Sequence, residues 1–146
     1  MERELARRLK KTNILRFFGF RMMAASPGHV VLRFRVQQHH LQVHRVVHGG
    51  VMATLADTAG GLATYMAVAP GTRVATVEMK INFLEPIERG TVTADARVIR
   101  CGRHFSVVDC DVTDSKGRLA GKALMTFAIG PAPHPETPAP RRKRRE

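Results

Sequence analysis

Residues 44–70, HRVVHGGVMATLADTAGGLATYMAVAP, constrain this chain more than any other stretch. From Val51 to Ala69 every side chain is apolar, small or a hydroxyl except one carboxylate, Asp57. A single helix of this character must bury most of its surface. Its length approaches the roughly 20 residues that cross a bilayer, but Asp57, the threonines, the Gly60-Gly61 pair and the absence of other apolar spans favour a helix buried inside a globular domain. No second helix of comparable length is available to cover it, so strands must.

The remaining segments supply them. FRMMAAS and HVVLRFRVQ flank Pro27-Gly28 and read as two antiparallel strands joined by a turn. TRVATVEMKINFLEP alternates Val74, Thr76, Glu78, Lys80 and Asn82 against Ala75, Val77, Met79, Ile81 and Phe83, the period of a long strand with one face to the core. GTVTADARVIR, HFSVVDCDVTD and RLAGKALMTFAIG follow, separated by Arg89-Gly90, Cys101-Gly102 and Ser115-Lys116-Gly117. These short glycine-containing junctions predict that the last four strands form an antiparallel meander. Residues 2 to about 18 carry Leu5, Leu9, Ile14, Leu15, Phe17 and Phe18 among bases, an amphipathic helix stopped by Gly19. The expected class is α+β: a long central helix wrapped by a six-stranded antiparallel sheet, with an N-terminal helix.

A chain of 146 residues allows one domain, read here as 1–130. The formal charge of +12 is concentrated at the ends, in RELARRLKK and in RRKRRE. Residues 131–146, with PAPHPETPAP before the basic run, read as a disordered tail. Without interleaved aromatic residues these bases do not make a stacking surface, and a nucleic-acid partner is not expected. No secretory signal precedes the domain, and Cys101 and Cys110 form neither a zinc pattern nor a disulfide framework, so a reducing, cytoplasmic setting is expected, with both thiols buried. His39, His40 and His44 lack Cys or Glu at ligand spacing and read as loop residues rather than metal ligands.

The chemistry gathers on the long helix. Three, four and seven residues from Asp57 stand Ala53, Thr54, Gly60, Gly61 and Thr64, all small, leaving room for close approach of a ligand or partner. The glycines each lower helix stability by roughly 1 kcal/mol relative to alanine, a cost that packing or access must offset. His48-Gly49-Gly50 marks the helix start, where unpartnered amides carry partial positive charge and the glycines admit a substrate oxygen. Such donors suit the oxyanion of acyl transfer. Yet Asp57 lies nine residues after His48, roughly 13 Å along the axis, so one chain's acid hardly serves its own Gly49. Two antiparallel helices in a dimer would bring them together. No serine-nucleophile motif is present.

In this order the pieces resemble the hotdog-fold acyl-CoA thioesterases of the phenylacetate-degradation type, over about residues 15 to 130. The strongest element is His48-Gly49-Gly50, six residues, then Asp57 with LADTAGG. VEMKINFLEP followed by RG, and RCGRHFSVVDCDVTDSKGRLAGKALMTF, resemble the strands that follow in that family. The resemblance implies hydrolysis of an acyl-CoA to free acid and CoA, with no metal and no cofactor, coenzyme A being part of the substrate. It implies Asp57 as nucleophile or general base, Gly49 as the amide on the thioester carbonyl, His48 beside it, Gln42 positioning thioester or water, and Thr76 as a hydroxyl near the acid. Asp57 and Thr76 would come from one subunit, and Gln42, His48 and Gly49 from its mate in a homodimer or a tetramer. Gly50, Arg89, Arg100 and Arg103 are candidate substrate contacts, the arginines for the phosphates of CoA. Met66, Phe83 and Tyr65 read as core. A non-catalytic acyl-CoA-binding regulatory module on the same fold is the alternative; the shorter Asp and His spacing of a hotdog hydratase is not seen.

Overall fold

The computed structural model describes residues 12–131. The expected helix over residues 2–18 is observed where it can be described, as α1, Asn13–Phe18. Its earlier turns, and the tail after Pro131, lie outside the described residues. α1 ends at Gly19, whose φ of 66° is left-handed, and the Phe20 amide donates back to the Leu15 carbonyl at 2.8 Å. Strands β1 (Arg21–Ser26) and β2 (His29–Arg35) then form the hairpin expected around Pro27-Gly28, with Gly28 at φ 75°.

A one-turn 3-10 helix, Gln38–His40, leads through a strap to α2, Gly49–Ala67, the long helix of the sequence. β3 (Arg73–Phe83), β4 (Thr91–Cys101), β5 (Phe105–Thr113) and β6 (Leu119–Gly130) complete one antiparallel six-stranded sheet in the order β1-β2-β4-β5-β6-β3. The hotdog architecture expected from the sequence is therefore the one observed. Its interior alternates as a half-buried sheet should: Val92, Ala94 and Ala96 on β4 and Val108, Cys110 and Val112 on β5 are buried. Thr93, Asp95, Arg97, Asp109 and Asp111 occupy the intervening positions, and Lys122 bonds Asp109 and Asp111 at 2.6 Å each. α2 lies across the inner face, closest to β4, and Leu55, Ala56, Ala59 and Ala63 on it are fully buried. At Gly60 a Cβ would meet Met125 Cε at 2.7 Å and the Phe127 ring at 3.0 Å. Close approach of sheet to helix is thus what that glycine supplies.

The meander is corrected. It runs only through β4, β5 and β6, because β3 pairs with β6 at the sheet's edge and β4 pairs with β2. The connection 84–90 is not a hairpin. It crosses the start of α2, with the Val47 amide donating to the Ile87 carbonyl at 2.7 Å and Leu84 bonding Ala120. Junction length was the available signal: this one is longer than the true hairpin turns, and Pro86 within it offers no backbone donor.

β3 also departs from strict alternation. Thr76 pairs with Phe127 and Glu78 with Thr126, so Val77 is an extra, bulged residue. The bulge shifts phase, putting Val74 and Thr76 on the same inward side as Met79 and Ile81 instead of opposite them. Two burial expectations change as well. Phe83 is 52% exposed, its ring lying over Gly49, whereas Tyr65 and Met66 are core. Cys101 is exposed; only Cys110 is buried, and burial pushes its thiol up to about 12.

Candidate active site

Asp57 projects from the middle of α2, half-buried. The threonines of its stripe do not compete for it: Thr54 Oγ1 donates to the Gly50 carbonyl at 2.7 Å and the buried Thr64 Oγ1 to Ser106 Oγ at 3.1 Å, while the adjacent Thr58 Oγ1 donates to the Thr54 carbonyl at 2.6 Å. The hydroxyl that reaches it belongs instead to Thr76, whose Oγ1 donates to Asp57 Oδ1 at 2.7 Å. The β3 bulge makes this contact possible, since unbroken alternation would not carry Thr76 on the face of Met79. Asp57 Oδ2 has no hydrogen-bond partner among the described residues, and the side chain lines a groove of about 220 Å³ with Ile14, Leu62, Tyr65, Val74 and Phe127 beside Thr58 and Thr76. One carboxylate oxygen is thus fixed, beside largely apolar walls.

The second cluster lies at the helix start. His48 is the N-cap, extended at φ −62° and ψ 133°, and its Nδ1 accepts the Gly50 amide at 2.8 Å. An accepting Nδ1 places the ring proton on Nε2, which is left to donate outward. His48 thus occupies the Gly50 amide, while Gly50 itself stays exposed beside the cap, where the sequence places a candidate substrate contact. The Val51 and Met52 amides turn back to the His48 carbonyl. Gly49 N–H remains without an acceptor among the described residues, half-buried under the Phe83 ring. Gln42 sits in a tight loop closed by Gln42 N to Val46 O at 2.9 Å, where Arg45 holds φ 61°. Its Oε1 accepts the His44 amide at 2.9 Å, so the carboxamide nitrogen is the group it can offer.

The structure joins Asp57 to Thr76 and gathers Gln42, His48 and Gly49 on one strap. Among the described residues no hydrogen bond links the two groups. Within one chain they stay separated by about two helical turns, roughly 12 Å along α2. The arginines are divided too. Arg89 precedes β4 while Arg100 is its penultimate residue and Arg103 follows it, so the two ends lie about 35 Å apart at 3.4 Å per strand residue. The three cannot form one phosphate cleft in one chain. No group of three or more His, Cys, Asp or Glu side chains suited to a metal occurs among the described residues, and none of their helices is long and apolar enough to cross a membrane.

His40, expected as a loop histidine, is a buried structural one. It is 1% exposed, its Nδ1 accepting the Gln37 amide at 3.0 Å and its Nε2 donating to the Phe18 carbonyl at 3.1 Å. Its ring packs edge-on to Phe34, and its carbonyl accepts the His48 amide at 2.8 Å, so it braces the cap of α2. The legible signal was Gln37 three residues before it, the spacing of a capping box. Burial, then the neighbouring His39, hold its imidazole below the usual 6.5, against the Phe18 hydrogen bond, which favours the proton. As pH falls below about 6.5 the unfolded chain takes up this proton before the folded one does, so stability falls with pH through that window until the folded-state value is passed. Melting temperatures between pH 7.5 and 5 should fall more steeply for the natural protein than for His40→Gln. An equal slope in both would remove His40 from this account.

Comparison with known proteins places these features in context. The family model of the Thioesterase superfamily matches residues 44–121, from the strap before α2 into β6. A relative in Saccharolobus solfataricus, whose name assigns it esterase activity only provisionally, is 34% identical over 123 residues, covering 83% of this chain and 80% of that one. Human acyl-coenzyme A thioesterase 13 is 27% identical, covering 83% of this chain and 88% of its own. Among solved structures, a thioesterase from Haemophilus influenzae superimposes with a TM-score of 0.82 at 25% identity, over 89% of this chain and 91% of the other.

Proposed function

Because the chain belongs to the thioesterase superfamily and is a thioester hydrolase on the hotdog fold, we propose that it cleaves an acyl-CoA to free acid and CoA in a site built from two copies of itself. The observation that carries this reading is the carboxylate of Asp57, one oxygen held by Thr76, lining a groove with largely apolar walls. In the proposed dimer, Asp57 and Thr76 of one subunit face Gln42, His48 and Gly49 of the other. β3, an edge strand, is free to meet its counterpart. Pairs of such dimers would give the tetramer.

The acyl group lies along the groove walls and the thioester carbonyl points at the Gly49 amide, where the helix start favours developing negative charge. Asp57 either removes a proton from water, which attacks the carbonyl carbon, or attacks it directly and forms an anhydride that water then opens. In both routes the oxyanion collapses, the carbon–sulfur bond breaks and CoA leaves as the thiolate, which takes up a proton. The Gln42 amide nitrogen and His48 Nε2–H would orient thioester or water. No metal or cofactor has a part, and Arg89, Arg100 and Arg103 are candidates for the CoA phosphates only if the two ends of the sheet serve different sites. The free thiols of Cys101 and Cys110 suit a cytoplasmic setting.

A panel of acyl-CoA thioesters with detection of released thiol tests the reading. Saturable release on at least one member is expected. Binding across the panel with no thiol released above the spontaneous rate would favour the regulatory module and overturn hydrolysis of acyl-CoA.

A further inference from the structure

A second recess, about 390 Å³, lies where α1 feeds into the β1–β2 hairpin, and it shares no lining residue with the Asp57 groove. The apolar surface it offers comes from the exposed Met23 and the half-buried Phe18, and three arginines, Arg21, Arg33 and Arg35, line it. Strand geometry puts the three together. Arg33 and Arg35 stand two apart on β2, on the face opposite the buried Leu32 and Phe34, and Arg21 is the cross-strand partner of Arg33.

Like charges directly opposite one another on a sheet destabilise it, and among the described residues nothing of opposite sign pairs with them. Arg33 Nε donates to the neutral hydroxyl of Thr93 at 2.9 Å, while Arg21 and Arg35 have no hydrogen bond or ion pair among the described residues. The nearby carboxylate of Asp95 is taken by His29 and Arg97. Lys122 is matched by two aspartates, Arg97 by Asp95 and Arg118 by Asp114, whereas single bases such as Arg73 and Arg100 also lack an ion pair among the described residues. What sets Arg21, Arg33 and Arg35 apart is that three of them line one recess. Three permanently charged planar forks around this apolar surface suit a ligand with several phosphate oxygens and a flat apolar part.

We infer that this recess binds a small organic diphosphate of nucleotide type, its phosphates on Arg21, Arg33 and Arg35 and its ring against Phe18 and Met23. Such a group could come from a free nucleotide or from the nucleotide end of a larger thioester.

ADP serves as the probe, with calorimetric titration of the full chain in low salt. Saturable binding is expected, weakened about tenfold or more in Arg21→Gln/Arg35→Gln through loss of two charge-assisted contacts and by added salt, and unaltered in Asp57→Asn. The double variant should melt no lower than the natural protein without ligand and should lose the rise in melting temperature that ADP produces. The KM for an acyl-CoA then separates the sources. A raised KM with kcat unchanged in the double variant identifies the substrate's own nucleotide, and an unchanged KM identifies a separate ligand. No binding of ADP at millimolar concentration, or equal affinity in the folded double variant, overturns the inference. Neither result bears on whether Asp57 hydrolyses thioesters.

Discussion

Replacing Asp57 by asparagine is expected to lower kcat by about 10²–10⁴-fold, the range for loss of a positioned acid–base group. The fold and KM should change little. Asparagine keeps the size of the side chain, and its carbonyl oxygen can still accept the Thr76 hydroxyl that now bonds Oδ1 at 2.7 Å. What it loses is the negative charge beside the groove, so it can neither take a proton from water nor attack the thioester. A thousandfold fall would correspond to about 4 kcal/mol of lost transition-state stabilisation. Asp57 contributes no inward packing that Leu55, Ala56 and Ala59 do not already provide, so the melting temperature should move by only a few degrees. Thr76→Val leaves the carboxylate charged but unheld and should fall between the two enzymes. A folded Asp57→Asn protein that turns over thioester at a near-natural rate would refute the role assigned to the acid.

The second large effect concerns assembly. Gly49→Pro deletes the helix-start amide that has no acceptor among the described residues, and the local backbone tolerates it. Proline is favoured at the first helical position, and His48, at φ −62° and ψ 133°, already holds the extended conformation that a following proline requires. The added ring must displace the Phe83 side chain, whose Cζ lies 3.0 Å from an ideal Cβ there but which is half exposed and able to turn away. Loss of one oxyanion donor should reduce kcat by about 10²–10³-fold with the helix intact. Each homogeneous variant, Asp57→Ala or Gly49→Pro, should then be nearly inactive. If each site takes its acid from one copy and its amide from the other, a mixed dimer has one doubly damaged site and one wholly natural site. Random reassociation of equal amounts makes half the dimers mixed, so about a quarter of natural activity should return. Activity that stays at the level of the separate variants, with mixed dimers demonstrated by mass, would mean that each chain completes its own site.

Much of this was legible before any coordinates. The apolar run around Asp57 dictates a buried helix, because nothing else can hide so many apolar side chains along one segment. The strands after it declare themselves by period-two alternation, and Gly19, Gly28 and Gly117 mark turns whose positive φ only glycine adopts without strain. The Asp57 stripe is readable as well, since helical spacing alone puts Ala53, Thr54, Gly60, Gly61 and Thr64 beside the acid.

What the chain could not disclose was decided at long range. Whether β3 pairs with β4 or with β6 depends on which edges remain free after α2 has been covered, and the residues of β3 carry no local mark of their partner. The bulge at Val77 is of the same kind. It exists because β6 presents Thr126 and Phe127 in a particular register, and it alone turns Thr76 toward Asp57. His48 taking the Gly50 amide, His40 bracing that cap from beneath, and Arg21 meeting Arg33 across two strands are likewise products of registry between segments. Periodicity and turn chemistry are properties of neighbours in the chain, so the sequence by itself determined the elements and the acid. Distances between elements follow from packing, and packing determined which donor, hydroxyl and cation each of them meets.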